Sequence, residues 1–531
     1  LPAWSLKTRK ILICIAITIF WLVMSAKLVR REILLPGVPS GRFGIAATLA
    51  PGVPFKEQWM GIYYEDQKVG YSNTIVSKVG GTEAPGYTIR NNTYMVVSLL
   101  DTPLKVHFDG ILRTDEDFKM RDFRSTLKSA GHKIRIDGRM EGDALFLEIL
   151  SGGRVFKKKE IVGSDMNLSN SLTPLLYLPN LEVGVTYSLN ILDPLSFSTK
   201  KAKVTVKGME PLEYQGKLVD TYVVETEYGG LIFTAWVTEG GDVLKEATPM
   251  GWTLIREDRK VAEDFRTDAN EFRRDITKLA TVSSDVRIDD PQNTYMTEIF
   301  ISGIDLDLFE LEGAGQSLID PEKGLVRIEA RRPDPAKVLD LPITDENFAK
   351  FLTSSLLVQS DDPEIMKLAA RIAGEEKNSL AVAERINEWV FDNVEKKITF
   401  SLPSAVEVLE TLEGDCNEHT ALFVGLARAA GIPTRTAIGL VYHRGRFYYH
   451  AWPEVYVGEW TKMDPTFGQA VADATHVKLL EGEFEQQAKL TLALGKIKLN
   501  IKSYSYPPPD KPVAETSGEA KETQEAKEEG S

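Results

Sequence analysis

Cysteine is scarce in this 531-residue chain: only Cys14 and Cys416 are present. Two thiols cannot build a disulfide framework, so cysteine usage says little about redox compartment. A basic excess is also missing. Lys and Arg total 63 against 77 Asp and Glu, for a net charge of −14. Nucleic-acid binding needs basic patches that displace counterions from phosphates, so no nucleic-acid partner is expected. With 43% hydrophobic and 26% charged residues, most of the chain should be globular. Its length predicts two to four domains.

One apolar run stands apart. "ILICIAITIFWLVMSA", residues 11–26, has sixteen residues without a charge, flanked by Lys7, Arg9 and Lys10 and by Lys27, Arg30 and Arg31. At ~1.5 Å per residue it spans roughly 24 Å, short of a ~30 Å hydrocarbon core unless Lys10 and Lys27 snorkel. A cleaved signal peptide is the competing reading, but Met24-Ser25-Ala26 makes a poor cleavage site. Residues 1–32 are therefore expected to form a transmembrane signal anchor, with the cytoplasmic membrane as partner and the bulk of the protein outside the cytoplasm.

Residues 55–262 read as β. "HKIRIDGRMEGDALFLEIL" alternates with period two across Asp137-Gly138, and Gly-Gly pairs at 229–230 and 240–241 occupy hairpin positions. The series predicts an antiparallel, half-barrel-like sheet, with Lys157–Lys159 on a solvated edge. Residues 263–345 read as a connecting β module and linker. The period turns helical over 346–490. Asp362 can cap, Pro363 fits the first helical position, and Ile365, Leu368, Ala369 and Ile372 form a stripe. A second stripe is Val382, Ile386, Trp389 and Val390, and a third helix should stop at Gly414. Residues 504–531 have little to bury and read as a disordered acidic tail. The fold class expected is α+β, multidomain.

The chemistry concentrates in residues 414–467. In "GDCNEHTALFVGLARAAGIPTR", Cys416 lies in the first turn of a helix that Gly431 and Pro433 stop. There the helix dipole should favour a thiolate and the backbone N–H groups an oxyanion. A buried structural cysteine would more often sit inside the apolar stripe. A nucleophile also needs a base and an orienting partner. "RFYYHAWPEVYVGEWTKMDPTFG" reads as a hairpin bearing His450 and Asp464. A two-residue turn would set Asp464 opposite Pro453, away from His450; a three-residue turn would set it opposite Trp452, within reach of His450. The spacing of Cys416 and His419, with His450, resembles a zinc set but lacks a fourth ligand, so neither metal nor cofactor is expected. His443 and His476 read as surface or supporting residues, His107 and His132 as solvent-facing strand positions.

These blocks resemble the transglutaminase-like superfamily with its papain-type core: "GDC" at a helix start, "YHAWPEVYV" on a strand, and "DPTFG" after the next strand. The resemblance covers roughly residues 350–485. It implies Cys416 as nucleophile, His450 as general base and Asp464 as the partner orienting the imidazole. It also implies a papain/transglutaminase-like α+β domain at the C-terminal end. No acidic loop resembles the calcium sites of animal transglutaminases. The function so implied is thiol chemistry on peptide or side-chain amides through a thioester, hydrolytic rather than cross-linking, with protein or peptide substrates. The rival is a non-catalytic, membrane-tethered binding or assembly protein.

Overall fold

The structure is a computed structural model that describes residues 55–79, 85–99, 102–116, 119–129, 132–151, 154–162, 166–168, 181–192, 199–228, 230–264, 281–398, 404–482, 490 and 493–507. Fifteen strands form one sheet with Phe55–Tyr64 at its middle. On one side each strand pairs antiparallel with the next in sequence, out to Arg154–Ile161. On the other side Phe55–Tyr64 pairs with Trp252–Glu257, and the preceding strands follow outward to Thr186–Leu192 and a parallel edge, Met166–Leu168.

Alternation explains the buried face. In Leu231–Val237 the residues Leu231, Phe233, Ala235 and Val237 are buried and those between them are not. One apolar cluster gathers around Ile62, Val206 and Val224, another around Phe123, Leu145 and Ile149. Asp137-Gly138 is not the turn that the sequence suggested. The strand His132–Glu141 runs through it, because the Phe123 ring fills the space where a Cβ at Gly138 would stand, and the chain turns at Gly142, whose φ is +60°. Lys157–Lys159 do lie on an edge strand, Arg154–Ile161.

From residue 281 the described residues build, besides a two-stranded pairing of Glu395–Lys396 with Glu413–Gly414, a five-stranded and a four-stranded sheet. One orders Thr281–Ser283, Arg446–Tyr456, Thr434–His443 and Val477–Glu481, with Trp460–Lys462 on Arg446–Tyr456. The other orders Gln316–Asp320, Leu325–Glu329, Met296–Ser302 and Lys498–Ser505. They share a core in which Ile299, Val326, Leu440, Phe447 and Leu499 meet. Helices Pro363–Ala373, Ser379–Asn393, Ala405–Thr411 and Cys416–Ala429 surround a second core that includes Ile365, Val382, Ile386 and Phe423. Asp362 caps the first of them as its sequence suggests, accepting from Glu364 N–H at 2.9 Å. The third stops at Leu412, φ +53°, rather than at Gly414. Gly414 instead pairs with Lys396, and a Cβ there would meet the Glu418 side chain at 2.2 Å.

Two expectations need correction. The described residues are mostly strand, with few helices, so the α+β class does not hold. The period-two pattern read for 55–262 returns in 281–329 and 434–505, and strands carry both parts of the chain. Second, among the described residues no helix is long and apolar enough to cross a membrane. Residues 11–26 lie outside the described residues, and their sixteen-residue length was already short for a span. The single-pass anchor, the membrane partner and the localisation inferred from them are therefore withdrawn. Residues 508–531 of the expected tail also lie outside the described residues, whereas Tyr504 and Ser505 pair with Thr297 and Met296.

Candidate active site

The helix Cys416–Ala429 begins where its cap requires. Asp415 Oδ1 accepts from Asn417 N–H at 2.9 Å, and Glu418 reaches back to accept from Asp415 N–H at 2.9 Å. Cys416 is thus the first helical residue. Thr420 Oγ1 donates to the Ala451 carbonyl at 3.0 Å, which ties this helix to the strand one residue beyond His450. The Ala451 N–H in turn favours the charged form of the Cys416 sulfur.

The electrostatics differ from expectation. Burial pushes the Cys416 thiol well above its ordinary value, Asp415 raises it further, and Glu418 and Asp464 add to this against the Ala451 N–H. A bare helix N-terminus would favour a thiolate. Here the cap is filled by two carboxyl-bearing side chains of the same turn, so the surroundings of the sulfur are acidic.

His450 is buried, and its Nε2 lies 2.8 Å from Asp464 Oδ2. Their meeting follows from the hairpin register. Tyr456 faces Trp460 and Glu454 faces Lys462, which leaves Val457, Gly458 and Glu459 in the turn. This three-residue connection places Asp464 on the His450 face. Gly458 suits the turn: its φ is +118°, and a Cβ would strike the Lys337 carbonyl at 1.9 Å. Asp464 Oδ1 accepts from the N–H groups of Thr466 and Phe467 at 2.7 and 3.0 Å, fixing the carboxylate plane. Burial alone would raise its pKa, but His450 and His476 outweigh burial and hold the carboxyl well below the usual range.

His476 is the residue that sequence reasoning undervalued. It is 1% exposed, and its Nε2 lies 2.9 Å from the same Asp464 oxygen that His450 uses. Its Nδ1 lies 3.2 Å from both the carbonyl and Oδ1 of Asp473. Burial works against its charge, yet Asp473 and Asp464 raise its pKa to about 9, while the Asp473 carboxyl is held down to about 2 despite its burial. The signal present in the sequence was Asp473-x-x-His476 directly before a strand, a spacing too common to single out. Gly439 makes the approach possible. It stands opposite His450, and a Cβ there would meet the Val477 carbonyl at 1.9 Å.

His419 turns elsewhere. Its Nδ1–H donates to the Asp415 carbonyl at 2.7 Å, and burial lowers its pKa. The metal-type set that does assemble among the described residues is His450, Asp464 and His476, with ligand atoms within 4.8 Å of one another. Their contacts of 2.8 and 2.9 Å are hydrogen-bond lengths. They are shorter than the edge of about 3.3 Å in a tetrahedral zinc site. Beside these residues lies a cleft of about 550 Å³ lined by Arg287, Asp290, His443, Arg444, Phe467 and Asp473. The Phe467 ring stacks on both His443 and His450, at 5.8 and 5.2 Å between centroids. His107 is solvent-facing, as expected, against Tyr94.

Residues 366–465 match the family described as the Transglutaminase-like superfamily. Over 75 residues the chain is 39% identical to an uncharacterized protein of Haemophilus influenzae, covering 13% of this chain and 20% of that one. The chain thus spans about a fifth of that relative's length. Among solved structures, a candidate cysteine protease from Cytophaga hutchinsonii is 21% identical, with 40% of this chain and 88% of that chain covered at a TM-score of 0.28. A β-barrel-like protein from Brucella abortus is 11% identical, with 38% and 94% covered at a TM-score of 0.26. At such TM-scores these likenesses add nothing to the site, and the family match stands on residues 366–465. Residues 366–465, which contain Cys416, His450 and Asp464, thus form a domain similar to the transglutaminase-like superfamily.

Proposed function

We propose that this chain is a cysteine peptidase or amidase in which Cys416 is the nucleophile, His450 the general base and Asp464 the residue that orients the imidazole. The observation that carries this reading is the buried 2.8 Å contact between His450 and Asp464, on a strand that Thr420 of the Cys416 helix binds at the Ala451 carbonyl. With Nε2 engaged by Asp464, Nδ1 is the nitrogen that serves the thiol. The acidic surroundings of Cys416 favour a resting thiol over a standing thiolate. His450 Nδ1 therefore takes the proton as the sulfur bonds to the amide carbon. The Cys416 N–H, at the helix start, donates to the developing oxyanion. The imidazolium then protonates the departing amine as the C–N bond breaks, leaving a thioester. Water, deprotonated by His450, attacks the thioester, and the acid departs as the thiol is restored. The cleft of about 550 Å³ beside Phe467 carries Arg287, Arg444 and Asp290, a mixture that suits a polar main chain.

Cys416→Ala tests the reading: turnover of a peptide or glutamine-amide substrate should vanish with the fold intact. Turnover equal to wild type would refute the covalent route. Supplying a primary amine with the same substrate separates water from amine as acceptor. Hydrolysis predicts free acid as the main product even at millimolar amine.

A further inference from the structure

Asp464 offers one oxygen to two imidazoles. His450 Nε2 lies 2.8 Å and His476 Nε2 2.9 Å from Oδ2, so both nitrogens carry protons and donate to it. On the far side, His476 Nδ1 faces the carbonyl and Oδ1 of Asp473, each at 3.2 Å, and both are acceptors. Every neighbour on the His476 ring nitrogens is therefore an acceptor, which calls for a doubly protonated ring. We propose that His476 is a positioning residue: an imidazolium held by Asp473 that shares the Asp464 carboxylate with His450 and so keeps His450 a neutral base toward the thiol. This rests on the assignment of Cys416 and His450 as nucleophile and base.

The surroundings fit that role. Asp473 is built to stay a fixed anion: Oδ1 accepts from Thr475 N–H and Oγ1 at 2.8 and 2.6 Å, and Oδ2 from Gln469 Nε2 at 2.8 Å. Lys462 Nζ donates to the Asp473 carbonyl at 2.9 Å. The charged or titratable groups facing His476 are Asp464 and Asp473 from the segments flanking it and His450 across a ring separation of 5.7 Å. Trp452 closes the remaining side edge-on at 5.2 Å. The raising of the His476 pKa to about 9 agrees with the acceptor geometry. Asp464 bears one negative charge, and His476 already opposes it. A second imidazolium at His450 gains less from that carboxylate, so a neutral His450 beside a neutral thiol is favoured. His476 and Asp473 both lie beyond residue 465, where the family match ends.

The test is ¹⁵N-histidine NMR of the full chain, paired with the pH profile of iodoacetamide alkylation at Cys416 in a Cys14→Ser background. In the wild type, His476 should show two protonated nitrogens at pH 7 and lose one near pH 9, and His450 should be the neutral Nε2–H tautomer. His476→Gln keeps a donor to Asp464 but removes the charge. The His450 ¹⁵N signals at pH 7 should then move toward the doubly protonated form, and the alkylation profile should depart from that of the wild type. Asp473→Asn should bring the His476 titration down toward neutrality and move the His450 signals in the same direction as His476→Gln does. A neutral His476 at pH 7, an unmoved His450 in His476→Gln, or one zinc per chain would overturn the proposal. If His476→Gln does not fold, the wild-type spectra and Asp473→Asn decide. Full activity in Cys416→Ala would instead sink the catalytic reading while leaving the His476 charge state as it is.

Discussion

The fifteen-stranded sheet and the region from 281 to 505 solve opposite problems. In the sheet almost every strand pairs with its neighbour in sequence, and polar side chains are satisfied the same way. Ser72 and Thr93 share a hydrogen bond at 2.8 Å, and Asn91 donates to Ser72 and Thr74 at 3.0 and 2.9 Å. Ion pairs such as Arg113–Asp122 lie toward solvent. In the second region Met296–Ser302 pairs with Lys498–Ser505, and Thr281–Ser283 with Arg446–Tyr456. Its ionisable groups go inside: Glu418, His450, Asp464, Asp473 and His476 are all buried. Short-range pairing builds a platform with most of its ion pairs toward solvent, whereas long-range closure gathers a cluster of ionisable groups in an interior. Changes in the two regions should therefore be felt differently.

The largest contrast concerns turnover. Removing the orienting carboxylate of a serine triad lowers turnover by about 10⁴, and Asp464→Asn should cost a similar factor in steady-state assays on a validated substrate. Ile62→Ala, in the core of the large sheet, should leave turnover per folded molecule unchanged. An equal loss in both would erase the distinction.

Stability comes next. Ile299 is fully buried in the core shared by the two small sheets. Ile299→Ala should cost about 2–5 kcal/mol in urea unfolding and also disturb the alkylation pH profile of Cys416. Ile62→Ala should cost a comparable amount without touching that profile.

A smaller effect is pH-dependent. Asp473, held down to about 2, stabilises fully above its unfolded pKa near 4, and this is lost as pH falls through about 2. His476, raised to about 9, stabilises fully below about 6.5, and this is lost as pH rises through about 9. Lys462, lowered to about 8 mainly by burial, acts in the other direction, its cost easing between about 8 and 10.4. The wild type should therefore exceed His476→Gln in stability most at pH 4–6.5, by on the order of 1–3 kcal/mol, with the gap closing by pH 9.5. A pH-independent gap would contradict a charged His476. Smallest of all, Arg113→Ala on the sheet surface should change unfolding free energy by only about 0.2–1 kcal/mol.

How much was legible follows the same division. Alternation in 231–237 and the cap-and-stripe pattern from Asp362 to Ala369 are local signals, and the structure follows them. Asp137-Gly138 misled because the need for glycine there comes from Phe123 on the adjacent strand, not from a turn. The hairpin allowed two registers in sequence, and Gly458 against the Lys337 carbonyl selects one. Cys416, His450 and Asp464 were candidates through the resemblance of their three sequence blocks, and the structure brings His450 and Asp464 into contact. The acidic setting of the thiol was not legible there, since it depends on Glu418 folding back over Gly414 and on Asp464 arriving from another strand. His476 stayed hidden because its meaning comes from a close strand approach at Gly439.

The most direct test is rapid-quench mass spectrometry of the intact protein during turnover of a peptide-amide substrate, followed by peptide mapping. One acyl group on Cys416, absent from Cys416→Ala and accumulating in Asp464→Asn when deacylation slows, is the predicted result. Turnover with no acyl group on Cys416 at any quench time, or an acyl group mapped to another residue, would contradict it.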